Sequence, residues 1–209
     1  MKKILFAAVM MSFVLALSGC GGGSSPPPTV TTQILSDPAY DGDIELDQSN
    51  VYTVTQGNVS SVFAGIDPST LSETRAFLDF PLTGAGGVPG DAFIASATLD
   101  IFINSIQTIS GSIPIRIELV SFSPPTLLAS DFDRVFLEYT TIVPPISSAD
   151  VQNLVAVDVT PLMVEAQRRG LANFQVRILE GGVGFVSPGL IEIDDTTASR
   201  APLLTVSYY

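Results

Sequence analysis

Acidic side chains are the residues of this sequence best suited to chemistry. Asp41, Asp43, Glu45 and Asp47 stand two residues apart, so on a β-strand all four project from one face. Like charges stacked in this way repel each other unless a cation neutralises them. The chain has no histidine, and oxygen-only ligands suit Ca²⁺. The alternative is a solvated edge strand whose charges prevent aggregation.

Two acid pairs have the spacing of a hydrolase site. Asp131 and Asp133, and likewise Glu192 and Asp194, are two residues apart, and glycoside hydrolysis needs two carboxyl groups about 5–9 Å apart. Such pairs arise by chance in a chain with 21 acidic residues. We therefore expect a protein without catalytic activity and keep a polysaccharide-cleaving enzyme as the less favoured alternative.

Missing residue types exclude other chemistries. The chain has no histidine or tryptophan, and Cys20 is its single cysteine. Ser-His-Asp and Cys-His nucleophiles and His/Cys zinc sites are therefore excluded. A lone cysteine also rules out an internal disulfide.

The N-terminus has the features of a secretory leader. Lys2 and Lys3 precede an apolar run from Ile4 to Leu17 that only Ser12 interrupts, which is typical of a signal peptide. A transmembrane helix needs about 20 apolar residues, more than this run provides.

Cys20 ends a segment that resembles the lipobox of bacterial lipoproteins. Leu17 is followed by two small residues and then the cysteine. The resemblance implies cleavage before Cys20 and more than one acyl chain, such as palmitate, at Cys20. One chain alone binds membranes only marginally. Gly21, rather than aspartate, follows, which in Gram-negative lipoproteins permits transport to the outer membrane. We expect an extracytoplasmic, lipid-anchored protein.

The domain organisation follows from composition. Residues 1–19 are the predicted signal peptide, and residues 20–32 are a tether rich in glycine, serine and proline, a composition that gives an extended linker. Residues 33–209 suffice for one domain with a single core.

The charge of the mature part limits its partners. Without Lys2 and Lys3, seven arginines remain against 21 acidic residues, a net charge of −14. Such a surface repels nucleic acid and anionic lipid headgroups. It favours divalent cations, neutral polymers or a basic partner.

The rest of the chain has a β pattern almost throughout, with short runs of Val, Ile, Phe and Thr between turn residues. In Ile113 to Leu119, branched residues alternate with Pro114, Arg116 and Glu118, which predicts one buried face and one wet face. The predicted strands are Asp43 to Asp47, Val51 to Thr55, Ser61 to Ala64, Thr74 to Phe80, Ala92 to Ile103, Ile113 to Phe122, Arg134 to Ile142, Leu154 to Val159, Ala172 to Leu179, Leu190 to Asp194 and Leu203 to Tyr208.

One short helix is predicted near residues 161–169. Thr160 would be its N-cap, Pro161 its first residue and Gly170 its stop. Arg168 and Arg169 lie in the last turn, where the helix dipole favours cations.

Four motifs occur in a characteristic order: Arg75 to Leu82, Ile94 to Phe102, Val157 to Leu162 and Arg200 to Tyr208. In this order they resemble the DNRLRE-domain family, which is related to the carbohydrate-binding modules of family 96 and to the disaggregatase-related repeats. The resemblance covers roughly residues 41–209. It implies an all-β fold, a jelly-roll β-sandwich of two antiparallel sheets.

The resemblance also implies sites. Jelly-roll modules often hold a structural calcium between the first and last strands, and the family tends to have an acidic pair where Asp194 and Asp195 stand. We predict a calcium site formed by Asp41, Asp43, Asp194 or Asp195. Without tryptophan, five residues remain for stacking against a sugar ring: Tyr40, Tyr52, Phe63, Tyr139 and Phe185.

The sequence thus predicts a lipid-anchored β-sandwich with a binding or structural role at the cell envelope, where a polysaccharide or a cell-envelope protein would be its partner. The alternative is a calcium-dependent carbohydrate-binding module.

Overall fold

A computed structural model describes residues 28–122, 126–181, 187–196 and 199–209. Its fourteen strands and one helix, α1, are β1 (Val30–Leu35), β2 (Gly42–Leu46), β3 (Tyr52–Gln56), β4 (Ser61–Ile66), β5 (Glu73–Pro81), β6 (Ile94–Thr108), β7 (Ser112–Ile113), β8 (Ile115–Val120), β9 (Glu138–Thr141), β10 (Ile146–Ser147), β11 (Asn153–Asp158), α1 (Thr160–Arg168), β12 (Asn173–Glu180), β13 (Gly189–Asp194) and β14 (Leu203–Tyr208). The all-β prediction is confirmed.

Twelve strands form one curled antiparallel sheet, in the order β1-β14-β6-β13-β4-β5-β12-β8-β9. Strand β11 pairs with the other edge of β6, and β2 lies between β3 and β5. The long strand β6 pairs with β14 along its first half and with β13 along its second. The β-sandwich prediction holds, with its layers joined through β6. A small second sheet pairs β7 with β10.

The main core lies on the concave side of this sheet. Leu99, Ile101 and Ile103 of β6 are fully buried there together with Leu78 of β5 and Val176 of β12. Their alternation along each strand places every second side chain inward. Burying such a side chain contributes about 1.5–3 kcal/mol, so this core is the main source of stability.

The outer face of β5, β8 and β12 is also covered, which the sequence pattern did not predict. Phe77 and Val120 pack there with Phe132, which follows a short 3-10 helix at Ala129–Asp131. The prediction that the face of β8 carrying Glu118 is wet is therefore wrong, because Glu118 is fully buried.

Helix α1 agrees with the predicted helix to within a residue at each end. Its N-cap is Val159 rather than Thr160; the Thr160 hydroxyl accepts a hydrogen bond from the Ala97 N–H of β6 at 2.9 Å. Gly170 follows the helix with a φ of 64°, a conformation that glycine adopts without strain.

Strand bounds differ from the predictions at several places. β6 continues to Thr108, beyond the predicted end at Ile103, and the short strand β10 was not predicted. β1 begins at Val30, within the segment assigned to the tether. Pro114, which cannot donate to a ladder, separates β7 from β8. Only Glu138–Thr141 of the predicted strand from Arg134 to Ile142 forms a strand.

Candidate functional site

The four predicted calcium ligands divide between separate places, although all four are buried. Asp41 and Asp195 come together. Asp43 accepts a hydrogen bond from the Phe63 N–H at 3.1 Å. Asp194 accepts hydrogen bonds from the N–H and hydroxyl of Thr196, at 3.0 and 2.8 Å. The predicted set therefore does not form one four-aspartate cluster.

Strand ends position Asp41 and Asp195. Asp41 immediately precedes β2, and its Oδ1 accepts a hydrogen bond from the Asp79 N–H of β5 at 2.7 Å. Asp195 immediately follows β13, and its N–H donates to the Ser60 carbonyl at 3.1 Å. Ser36, immediately after β1, completes a group that we call the acidic cluster (Ser36, Asp41 and Asp195).

Electrostatics in the acidic cluster are unfavourable. Burial, and then the charge of Asp195, raise the pKa of Asp41, and burial also raises the pKa of Asp195. Among the described residues, Asp41 Oδ2, both carboxylate oxygens of Asp195 and Ser36 Oγ are buried without a hydrogen-bond partner of normal geometry. Buried polar atoms in proteins nearly always have such a partner.

Asp43 lies in an open groove of about 280 Å³ on the face of β2, β4, β5 and β13. Burial raises the pKa of Asp43 to about 6, although the Phe63 N–H opposes this shift. Strand β2 is an inner strand, so the alternative of a solvated edge strand is wrong. The groove is lined by Asp43, Glu45, Thr55, Ser61, Phe63, Asp67, Thr74 and Leu190.

The candidate catalytic pairs are engaged in other contacts. Asp131 bonds to Arg134 Nε at 2.7 Å, and Asp133 pairs with Arg75 at 3.0 Å. Glu192 accepts hydrogen bonds from Ser61 and Ser105, at 2.8 and 2.7 Å.

Asp194, the partner of Glu192 in the second pair, is also unsuited to donate a proton. Burial raises its pKa, but hydrogen bonds from Thr196 and Asn104 and the charge of Arg200 hold it below the usual value. A general acid in glycoside hydrolysis needs a raised pKa instead.

The stacking candidates lie apart. Phe63 lines the groove, and Tyr40 is half-buried beside the acidic cluster. Tyr52 packs against Phe132, with ring centroids 5.3 Å apart. Tyr139 is half-exposed on β9, with the Arg116 guanidinium 5.6 Å from its ring. Phe185 lies outside the described residues.

Sequence reasoning missed an ion-pair network that we call the arginine cluster (Arg75, Arg116, Arg177 and Glu118). Arg177 is nearly fully buried, and its Nε donates to Glu118 Oε2 at 2.8 Å. Arg116 Nη2 lies 2.6 Å from Glu118 Oε1. Arg75 lies 3.8 Å above the Phe132 ring. A partial signal was present, because Arg177 and Glu118 are opposite charges within two largely apolar predicted strands. The pairing of those two strands was not predicted. Ser36 had no comparable signal.

Cys20 and the predicted leader lie outside the described residues. Within the described ranges, no helix has the length and apolar character needed to cross a bilayer. The same part of the chain contains no group of three or more His, Cys, Asp or Glu side chains arranged to hold a metal. No protein-family model matches the chain, and no curated protein matches its sequence.

Proposed function

We propose that this protein is a non-catalytic binding module, anchored by lipid on Cys20 and exposed outside the cytoplasm at the outer membrane of a Gram-negative bacterium. The leader and the lone cysteine support the anchor. The open groove supports binding, because it places carboxylates, hydroxyls and one aromatic ring on the face of a rigid sheet.

The chemistry of the groove favours a neutral polyhydroxylated ligand such as a glycan. Asp43 and Glu45 offer acceptors to sugar hydroxyls, Thr55 and Thr74 offer hydroxyl groups, and Phe63 offers an apolar surface. The acidic surface disfavours nucleic acid and other polyanions. The likeness to the DNRLRE domains and the carbohydrate-binding modules of family 96 supports the same ligand class.

Titration calorimetry on the full chain in detergent tests the binding proposal. We expect heat from one or more neutral polysaccharides and its loss in the double variant Glu45→Gln, Phe63→Ala. Asp133→Asn, a change on an exposed carboxylate outside the groove, is the matched control and should bind as the parent does. If neither neutral nor acidic polysaccharides give heat of binding, glycan binding is rejected. A cell-envelope protein is then the remaining candidate partner.

The anchor has its own test. Cells expressing the protein should incorporate labelled palmitate into it, and Cys20→Ser should abolish the label. A parent protein without label would reject the lipid anchor without bearing on the groove.

A further inference from the structure

The acidic cluster contains four buried oxygen atoms that lack a hydrogen-bond partner of normal geometry. They are Asp41 Oδ2, both carboxylate oxygens of Asp195, and Ser36 Oγ. Each residue is at least nine-tenths buried, with 0% of Asp41, 4% of Asp195 and 5% of Ser36 exposed. Two carboxylates shielded from water in this way need either a shared proton or a cation between them.

No side chain in the described part of the chain supplies that charge. Residues 28–209 contain no lysine, and all seven arginines are within the described residues. Arg200, the arginine nearest in sequence to Asp195, lies 3.9 Å from Asp194 and stacks on Phe102 at 4.4 Å. The other six pair with Glu73, Asp133, Glu118, Asp131 or Glu165.

The neighbouring carboxylate of Asp79 is buried together with its donors. Asp79 is fully buried, yet Asn173 Nδ2 donates to it at 2.7 Å and Gln175 Nε2 also at 2.7 Å. Its own N–H is bonded to Asp41. The missing partners therefore belong to the acidic cluster alone among these adjoining acids.

We propose that Asp41, Asp195 and Ser36 form a binding site for one calcium ion. The two carboxylates balance its charge, and Ser36 adds a neutral oxygen. Backbone carbonyls and water complete the six to eight oxygens that Ca²⁺ takes. Mg²⁺ fits less well, because it demands near-ideal octahedral geometry and retains its water.

The site differs from the four-aspartate set that the sequence predicts, because Asp43 and Asp194 are engaged elsewhere. Its three residues come from the end of β1, the start of β2 and the end of β13. A bound ion would thus join the two ends of the domain sequence. Calcium binding requires no glycan, so a test of the calcium site is independent of the proposed glycan-binding function.

Thermal unfolding of the full chain in detergent, after removal of metal with EDTA, provides the test. CaCl₂ at 100 times its Kd should raise the midpoint by about 5–10 °C, and MgCl₂ at the same concentration should raise it far less. Calorimetric titration should give one ion per chain. An unchanged midpoint with calcium would overturn the proposal, as would an equal response to magnesium.

Substitutions locate the ion. Asp41→Asn and Asp195→Asn should each lose the calcium shift, and Ser36→Ala should weaken calcium binding. Asp43→Asn and Asp194→Asn are the matched controls and should keep it. If both site variants keep the calcium-induced shift of the midpoint, or if both controls lose it, the result would contradict a calcium site at the acidic cluster. Thermal unfolding in EDTA identifies any variant that fails to fold. In that case, calcium titration of the other site variant tests the location of the ion.

Discussion

Buried carboxylates occur in two regions of this molecule with opposite surroundings. Glu118 of the arginine cluster is fully buried and is contacted by the guanidinium groups of Arg177 and Arg116. Asp41 and Asp195 of the acidic cluster are equally buried, but each faces another carboxylate. In the first region the chain's own arginines supply the positive charge, although Arg116 Nε and Glu118 Oε1 lack a hydrogen bond of normal geometry. The second region needs a proton or a cation from solution.

Strand register explains the difference. Glu118 and Arg177 are directly opposite each other where β8 pairs with β12, so the ladder that forms the sheet also forms the ion pair. Asp41, Asp195 and Ser36 lie just beyond strand ends, where no cross-strand partner is imposed. Within the sheet, strand register places opposite charges next to each other. Beyond the strand ends, register imposes no such pairing, so charges there can require a ligand.

The largest expected change in stability comes from disrupting the arginine cluster. Arg177→Met leaves Glu118 buried without its main partner and should lower the free energy of unfolding by about 3–5 kcal/mol. Urea denaturation measures this change. The double variant Arg177→Met, Glu118→Leu should recover most of the loss, since it removes both charges. A single variant as stable as the parent would show that the ion pair does not hold the sheet.

Neutralising one acid in each region should change the free energy of unfolding in opposite directions. In EDTA at pH 8, folding costs the uptake of a proton, because burial and the charge of Asp195 raise the pKa of Asp41 to about 9. Asp195→Asn removes that charge and should raise the free energy of unfolding by about 1–2 kcal/mol. Glu118→Gln weakens charged hydrogen bonds and should lower it by about 1–3 kcal/mol. Urea midpoints measured under the same conditions compare them. Changes in the same direction for both variants would contradict the proposed difference between the two regions.

Glu180 provides an intermediate case, a partly buried acid at the end of β12. Burial, and to a smaller extent Glu73, raise its pKa to about 7 from 4.5. Its contribution to stability is therefore fully present below pH 4.5 and is lost as the pH rises through 7. Urea midpoints for the parent and Glu180→Gln at pH 5 and pH 8 should show a smaller fall in the variant. Identical falls would contradict the raised pKa.

An exposed ion pair should have the smallest effect. Glu165 of α1 pairs with Arg168 at 2.7 Å and with Arg169 at 2.6 Å, all at the protein surface. Arg168→Ala should leave the urea midpoint of unfolding close to that of the parent, because water and salt screen such pairs. A loss as large as that of Arg177→Met would mean that burial does not separate these pairs.

Local patterns predicted much of the fold. The alternation in β6 and β8 and the proline and glycine around α1 are short-range signals, and the elements lie close to their predicted positions. The burial of Glu118 was missed because alternation assigns a side chain to a face without indicating what covers it. The cover comes from Phe132, 14 residues farther along the chain.

The candidate site was predicted in part. The sequence indicated Asp41 and Asp195 as candidate metal ligands, but it could not separate them from Asp43 and Asp194. Their spacing predicts Asp41 and Asp43 on one face of a strand. In the structure Asp41 lies before β2, and Asp43 lies in the groove, where it accepts a hydrogen bond from the Phe63 N–H. The contribution of Ser36 depends on contacts across the sheet, which no local pattern indicates.

By itself, the sequence determined the absence of histidine chemistry, the acidic charge, the strand-rich pattern and the short helix, since these depend on composition and on neighbours within a few residues. Only the tertiary structure decided which charges meet. Asp41 and Asp195 are 154 positions apart, and Glu118 and Arg177 meet through the pairing of β8 with β12. Such encounters depend on sheet order and register, which arise from the packing of the whole core.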